Sequence, residues 1–227
     1  MWIKICGITR QKDAEAAVEA GVDAIGLNFY APSPRSITKS VARVIAERIR
    51  GHVDVVGVFV NMPIPNVVEI CQHVGLSAVQ FHGSETPDNL VQFRQACTGI
   101  NVIRAIRLAN SGNSLATTAA PWQRLQPPPA GLLVDAFVPG EYGGTGQTVN
   151  PSLLHNHRDI ASRLILAGGL TPDNVTEIAQ EVRPWGVDTA SGVEHEPGIK
   201  SKRSMQQFIN CCRAVSESNE RERLSEL

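Results

Sequence analysis

Residues 2–29 read WIKICGITRQKDAEAAVEAGVDAIGLNF. The stretch opens on an alternating run, Trp2–Ile5, turns at Gly7-Ile8-Thr9, and continues with helical spacing over Gln11–Ala20. It stops at Gly21 and returns to an apolar run, Ala24–Phe29. A strand, a helix and a second strand joined by short connections make a βαβ unit with parallel strands. The first turn decides where such a unit belongs. A doubly wound dinucleotide-binding sheet would open with GxGxxG there, and Gly7-Ile8-Thr9 does not.

The same rhythm repeats along the chain. Further strands are expected at Asp54–Val60, Ala78–Phe81, Val102–Ile106, Gly131–Asp135, Leu164–Ala167 and Val187–Thr189. Helices are expected at Ser40–Arg50, Pro65–Val74, Pro87–Cys97, Pro172–Glu181 and Lys200–Val215, with weaker ones near Ser111–Ala120 and Pro151–His155. Thr86-Pro87 and Thr171-Pro172 suit a helix start, because proline lacks only a donor that would be orphaned there. Gly21 and Gly75 suit a left-handed helix stop. Eight strands alternating with helices in 227 residues fit a closed parallel sheet of the α/β class, a (β/α)₈ or TIM barrel, with connections of about six residues. The expected organisation is one barrel over residues 1–215 and a polar tail over 216–227, either a helical extension or a frayed end. Pro127-Pro128-Pro129 reads as a rigid loop entering the sixth strand, since both halves of the chain share one rhythm.

Composition removes several classes. With 21 Lys+Arg against 22 Asp+Glu the net charge is −1, which gives no footprint for nucleic acid. Hydrophobic residues at 42% exclude disorder over most of the chain. No run approaches the roughly 18–20 apolar residues of a membrane span, and the N-terminus has no secretory pattern. Five cysteines without CxxC point to no zinc site, dithiol motif or disulfide framework. The expectation is a cytoplasmic protein with no metal and no cofactor, a monomer or a homodimer.

Chemistry in such a barrel gathers at the C-terminal ends of the strands. Residues two apart share a strand face, so if Ile3 and Ile5 pack against helices, Lys4 and Cys6 point into the mouth. A thiol beside a cation ionises more readily and makes a base or nucleophile; a packed structural cysteine is the alternative. Asp135 ends the apolar run Leu132-Leu133-Val134, so it must be accessible or paired, and capping the next loop is its plainer reading. A thiol and a carboxyl converging from two strand ends suit proton shuttling. Glycine-rich turns with Gly168, Gly169, Ser191 and Gly192 follow the seventh and eighth strands. There, backbone amides and the helix N-termini expected after them would hold a phosphate. A phosphorylated small molecule is therefore the expected partner. Arg35, on the proline-stiffened loop Pro32–Ser36, could clamp a carboxylate in two-pronged fashion or be a solvated charge. His82 is a structural hydrogen-bonder or a catalyst. The Val138–Gln147 connection with Gly143-Gly144-Thr145-Gly146 reads as a lid.

In order along the chain, KICGIT (Lys4–Thr9), SPR (Ser33–Arg35), VGVFVN (Val56–Asn61), VQFHG (Val79–Gly83), LVD (Leu133–Asp135), GGTGQT (Gly143–Thr148), LAGGLTPDNV (Leu166–Val175), GVDTASGVE (Gly186–Glu194) and PGIK (Pro197–Lys200) resemble the phosphoribosylanthranilate isomerase family of tryptophan biosynthesis. The resemblance runs from residue 2 to about 209, and the combination is far more specific than any one motif. It implies an Amadori rearrangement of N-(5-phosphoribosyl)anthranilate to the 1-deoxyribulose 5-phosphate amino-ketose. It also implies that Asp135 is the general acid for the ring oxygen, Cys6 the base at sugar C2, and Arg35 the holder of the anthranilate carboxylate. The turns at Gly168-Gly169 and Ser191-Gly192 would be the phosphate cradle, and Asp188 would bond a sugar hydroxyl or orient a neighbour. Two departures stand out: Val149-Asn150-Pro151 where the family has Phe-Asp-Trp, and Ala190 where it has serine. They bear on lid packing and on one hydroxyl near the phosphate. The rival readings are another phosphate-binding barrel of the tryptophan or histidine pathways and a catalytically silent binding module. The thiol, the carboxyl and both glycine turns favour the isomerase.

Overall fold

A computed structural model of the chain describes residues 1–108, 114–136, 154 and 163–225. Its first half alternates β1 (Trp2–Cys6), α1 (Gln11–Glu19), β2 (Ala24–Asn28), α2 (Lys39–Arg48), β3 (Asp54–Phe59), α3 (Ile64–Val74), β4 (Ala78–Phe81) and α4 (Pro87–Ala96). The second half carries β5 (Asn101–Leu108), α5 (Leu115–Gln123), β6 (Gly131–Ala136), β7 (Arg163–Leu166), α6 (Val175–Val182) and β8 (Gly186–Thr189). A 3₁₀ turn at Ser191–Val193, a hairpin of β9 (Glu194–Glu196) and β10 (Ile199–Lys200), and the long α7 (Lys202–Ser225) complete it. The eight strands β1 to β8 pair in sequence order and close into a barrel. Closure comes from parallel pairing of β1 with β8, in which Lys4 lies opposite Asp188.

The strand alternation sorts residues into two cores. Ile3, Ile5, Ile25, Leu27, Phe59 and Phe81 face outward into the layer under the helices, where Phe93 and Phe208 meet them. Ala24, Val56, Ala78, Ile103, Ala105, Leu133, Ile165 and Ala167 face inward and fill the lower barrel. One step nearer the C-terminal mouth the inward positions turn polar. Lys4 and Gln80 are fully buried there, and Asp135 and Asp188 nearly so. An apolar floor under a polar storey is what gives this barrel a reactive end.

Local signals set most of the element ends. Thr86 caps α4 with a reciprocal capping box to Asn89, Thr38 accepts from the Val41 amide at the start of α2, and Gly75 stops α3 at φ 78°. The triple-proline loop leads into β6, and its Pro128 carbonyl accepts from Arg94 Nη2 of α4 at 2.9 Å. The last helix runs on past Val215 to Ser225, and two helix starts lie well beyond those expected. The fifth helix begins at Leu115, capped by Ser114, and runs through Pro121. The helix expected from Pro172 begins only at Val175, because Asn174 Oδ1 accepts from the Thr171 amide and its Nδ2 donates to the Gly169 carbonyl, which turns the chain once more first. The lid expected over Val138–Gln147 lies outside the described residues, as does the helix near Pro151–His155 except for Leu154.

Candidate active site

A cavity of about 690 Å³, counting the part open to solvent, lies at the C-terminal mouth. Cys6, Arg35, Asp135, Gly168, Gly169, Asp188 and Ser191 all line it. Chain segments far apart in sequence thus bring together a thiol, carboxyls, a guanidinium and two glycine-containing turns.

Cys6 ends β1 just above Lys4. The Lys4 ammonium is wholly enclosed and donates to Asp188 Oδ1 at 2.9 Å. Burial works against this ammonium, yet Asp188 and Cys6 together hold its pKa above the usual lysine value. Burial also pushes Asp188 up, with Lys4 opposing it. The Cys6 thiol is raised as well: burial is the largest cause, and Lys4 and Lys200 offset it only in part. The activation expected from a neighbouring cation is therefore present but outweighed by desolvation, and the resting group is the thiol. Gly26 of β2 makes room for this cluster, since a Cβ there would come within 2.7 Å of Cys6 Sγ and 3.1 Å of Lys4 Cε.

Across the barrel, Gln80 and His82 share the inward face at the end of β4. Gln80 Nε2 lies 2.9 Å from His82 Nδ1. If the amide donates, neutral His82 carries its proton on Nε2, which is 3.5 Å from Asp135 Oδ2. Gln80 Oε1 has no hydrogen-bond partner among the described residues, and both residues line the cavity. His82 is thus placed against the candidate acid. Gln80 was not singled out in the sequence, although it is a polar residue inside an otherwise apolar strand.

Arg35 is not a free loop charge. Its Nε and Nη2 donate to the two oxygens of Glu194 at 2.9 and 2.8 Å, and this bidentate bond is the main cause of a pKa above the usual arginine value. Lys200 Nζ donates to the same carboxylate at 2.7 Å. Burial alone would push Glu194 up, but Arg35 and Lys200 bring it below the usual carboxylate range. Neither Glu194 nor Lys200 was singled out in the sequence, where nothing marks a partner 159 residues from Arg35.

The glycine turns differ in detail from expectation. Gly168 and Gly169 both line the cavity and both take positive φ, 86° and 59°, a conformation side chains disfavour. Gly192 stands behind the wall instead: a Cβ there would overlap the Leu170 carbonyl, so its bareness lets the two turns pack. The helix N-termini expected behind both turns are also absent from this place. A 3₁₀ turn and the β9–β10 hairpin follow β8 before any α-helix, and α6 starts six residues beyond Gly169. Among the described residues no group of three His, Cys, Asp or Glu side chains could hold a metal, and no helix is long and apolar enough to cross a membrane.

Comparison with known proteins gives the chain a family and relatives of the same fold. The family described as N-(5'phosphoribosyl)anthranilate (PRA) isomerase matches residues 3–211. N-(5'-phosphoribosyl)anthranilate isomerase from Pseudomonas fluorescens strain Pf0-1 is 43% identical over 92% of this chain and 97% of its own. The Chlorobium luteolum enzyme is 40% identical over 95% and 98%. Among solved structures, phosphoribosyl anthranilate isomerase from Thermotoga maritima superposes with a TM-score of 0.82 at 34% identity, covering 94% of this chain and 99% of that one. An isomerase in complex with reduced 1-(o-carboxyphenylamino)-1-deoxyribulose 5-phosphate gives 0.79 at 33% identity, covering 94% and 99%. By sequence and by fold, this chain belongs to the N-(5'-phosphoribosyl)anthranilate isomerase family.

Proposed function

We propose that this chain carries out the family's Amadori rearrangement in tryptophan biosynthesis, converting N-(5'-phosphoribosyl)anthranilate to 1-(2-carboxyphenylamino)-1-deoxyribulose 5-phosphate. The observation that carries the reading is the shared cavity, in which Cys6 and Asp135 stand with Arg35 and the Gly168-Gly169 turn. The amides of that turn, with Ser191, would take the phosphate, and Arg35 the anthranilate carboxylate. The same two ligand groups occur on the reduced analogue bound in the relative described above.

With the substrate so placed, Asp135 in its protonated form gives its proton to the furanose oxygen as the C1–O bond breaks, leaving an iminium at C1. Cys6, once its thiol has passed its proton to solvent, takes the proton from C2 as thiolate. The C–H electron pair becomes the C1–C2 double bond and the iminium pair returns to nitrogen, giving an enolamine that tautomerises to the ketone. No oxidant or cofactor enters, since the atoms only rearrange. Asp188 reaches the cavity while bound to Lys4, so its free edge is the candidate for a sugar hydroxyl. Assembly is proposed as monomer or homodimer; the Thermotoga maritima relative is dimeric and has also been solved as monomers.

The test is the loss of anthranilate fluorescence when purified protein meets freshly made phosphoribosylanthranilate. Wild type should turn it over. Cys6→Ser and Asp135→Asn should each lose about 10²–10⁴-fold, mainly in kcat, whereas Arg35→Ala should raise KM first. Near wild-type kcat in either of the first two variants would remove that residue from its role.

A further inference from the structure

Arg35 is held in a built socket. Its side chain runs over Gly7, where φ is 74° and a Cβ would collide with it. Its Nε and Nη2 edge is occupied by Glu194. Glu194 in turn accepts from Lys200 Nζ at 2.7 Å and from the Gly198 amide at 3.3 Å. Lys200 Nζ also donates to the Ala190 carbonyl at 2.9 Å, which ties the β9–β10 hairpin to the end of β8. Arg35 Nη1 makes no hydrogen bond among the described residues, and Arg35 lines the cavity. Arg35, Lys200 and Glu194 together carry one net positive charge, matching one carboxylate.

We infer that Glu194, braced by Lys200, is the positioning residue of the substrate's aromatic carboxylate: it fixes Arg35 so that only the Nη1 edge faces the cavity, and thereby selects a carboxylate-bearing ring. The inference rests on the carboxylate role proposed for Arg35. A long arginine on a loop otherwise samples many rotamers, and ordering it on binding costs affinity. A carboxylate already seated on the far edge removes that cost in advance and leaves a planar fork with a fixed direction. The device binds through charge-assisted geometry, so its influence belongs to ligands that carry the carboxylate and to no others.

The experiment measures dissociation constants, by calorimetry, for reduced 1-(2-carboxyphenylamino)-1-deoxyribulose 5-phosphate and for its counterpart lacking the ring carboxylate. Wild type, Glu194→Gln, Arg35→Ala and the double variant are compared. Glu194→Gln presents amide N–H groups to donors and unseats Arg35, so the carboxylated ligand should weaken about 10- to 100-fold, the worth of one charged hydrogen bond. The carboxylate-free ligand should change less than about twofold, and Glu194→Gln should add no more than that on the Arg35→Ala background. If the Gln variant folds poorly, Glu194→Asp keeps the charge, withdraws the carboxylate by one methylene and should show the same selectivity. Equal weakening of both ligands would mean a general structural role, and unchanged affinity a bystander. Tighter binding would mean that Glu194 competes for the guanidinium. Each of these three overturns the inference. Wild type that binds the carboxylated ligand but leaves phosphoribosylanthranilate unconverted would sink the proposed activity and not this one; wild type that binds neither ligand overturns both.

Discussion

Lys4 and Asp188 form an ion pair in the barrel interior, with the lysine fully enclosed. Each charge is tolerable there only because of the other, since burying either alone costs several kcal/mol. The pair also stands beside Cys6, so it serves the candidate base as a fixed cation, and it holds Asp188 facing the cavity. Replacing Lys4 by Met should therefore destabilise the protein by about 3–5 kcal/mol in urea unfolding, because an unpaired carboxylate is left behind. Adding Asp188→Asn should recover most of that loss, because the second change removes the orphan charge. A loss below about 1 kcal/mol, or two losses that simply add, would show that the pair is dispensable.

At the scale of elements, the turns after β7 and β8 act as one unit. Thr189 Oγ1 donates to the Leu170 carbonyl at 2.7 Å, and Gly192 packs directly against that same carbonyl. The two turns thus hold the proposed phosphate amides in register. Gly192→Ala should push them apart and weaken competitive inhibition by inorganic phosphate about tenfold or more, the worth of roughly 1.4 kcal/mol, with the far-ultraviolet spectrum unchanged. Unaltered phosphate inhibition would show that the turns bind independently. The strands themselves were legible in the sequence because a period of two leaves Ile3 and Ile5 on one side and Lys4 and Cys6 on the other. Helix starts were legible where one residue decides, as at Thr86. They were not legible at Pro172, where the Asn174 side chain bonds the Thr171 amide and the Gly169 carbonyl and wins over the proline cue.

For the whole molecule, closure makes partners of residues that the sequence keeps apart. Cys6, Asp135 and Arg35 could be singled out because each sits at a strand end or in a stiff loop. Which partners the charges would find could not be read: Lys4 meets Asp188 through the β1–β8 seam, and Arg35 meets Glu194 across the mouth. No local pattern encodes which distant charges will pair. The packed layer under the helices has its own consequence for stability. Cys71 of α3 and Cys212 of α7 lie buried in it, and burial, the largest cause in both, pushes their thiols up to about 12. The unfolded chain would release these protons at the ordinary thiol pKa of about 8.5. Between those values the unfolded state binds fewer protons than the folded state, so stability falls as pH rises, by up to about 1.4 kcal/mol per pH unit for each thiol. Below about pH 7 neither thiol contributes an appreciable slope. Cys71→Ala and Cys212→Ala should each cost a roughly constant amount at neutral pH, where a small cavity is left. Each should also make the alkaline decline in urea midpoint shallower than in wild type between about pH 9 and about pH 11. Decline curves of equal steepness in wild type and both variants would show that the two thiols ionise as readily in the fold as outside it.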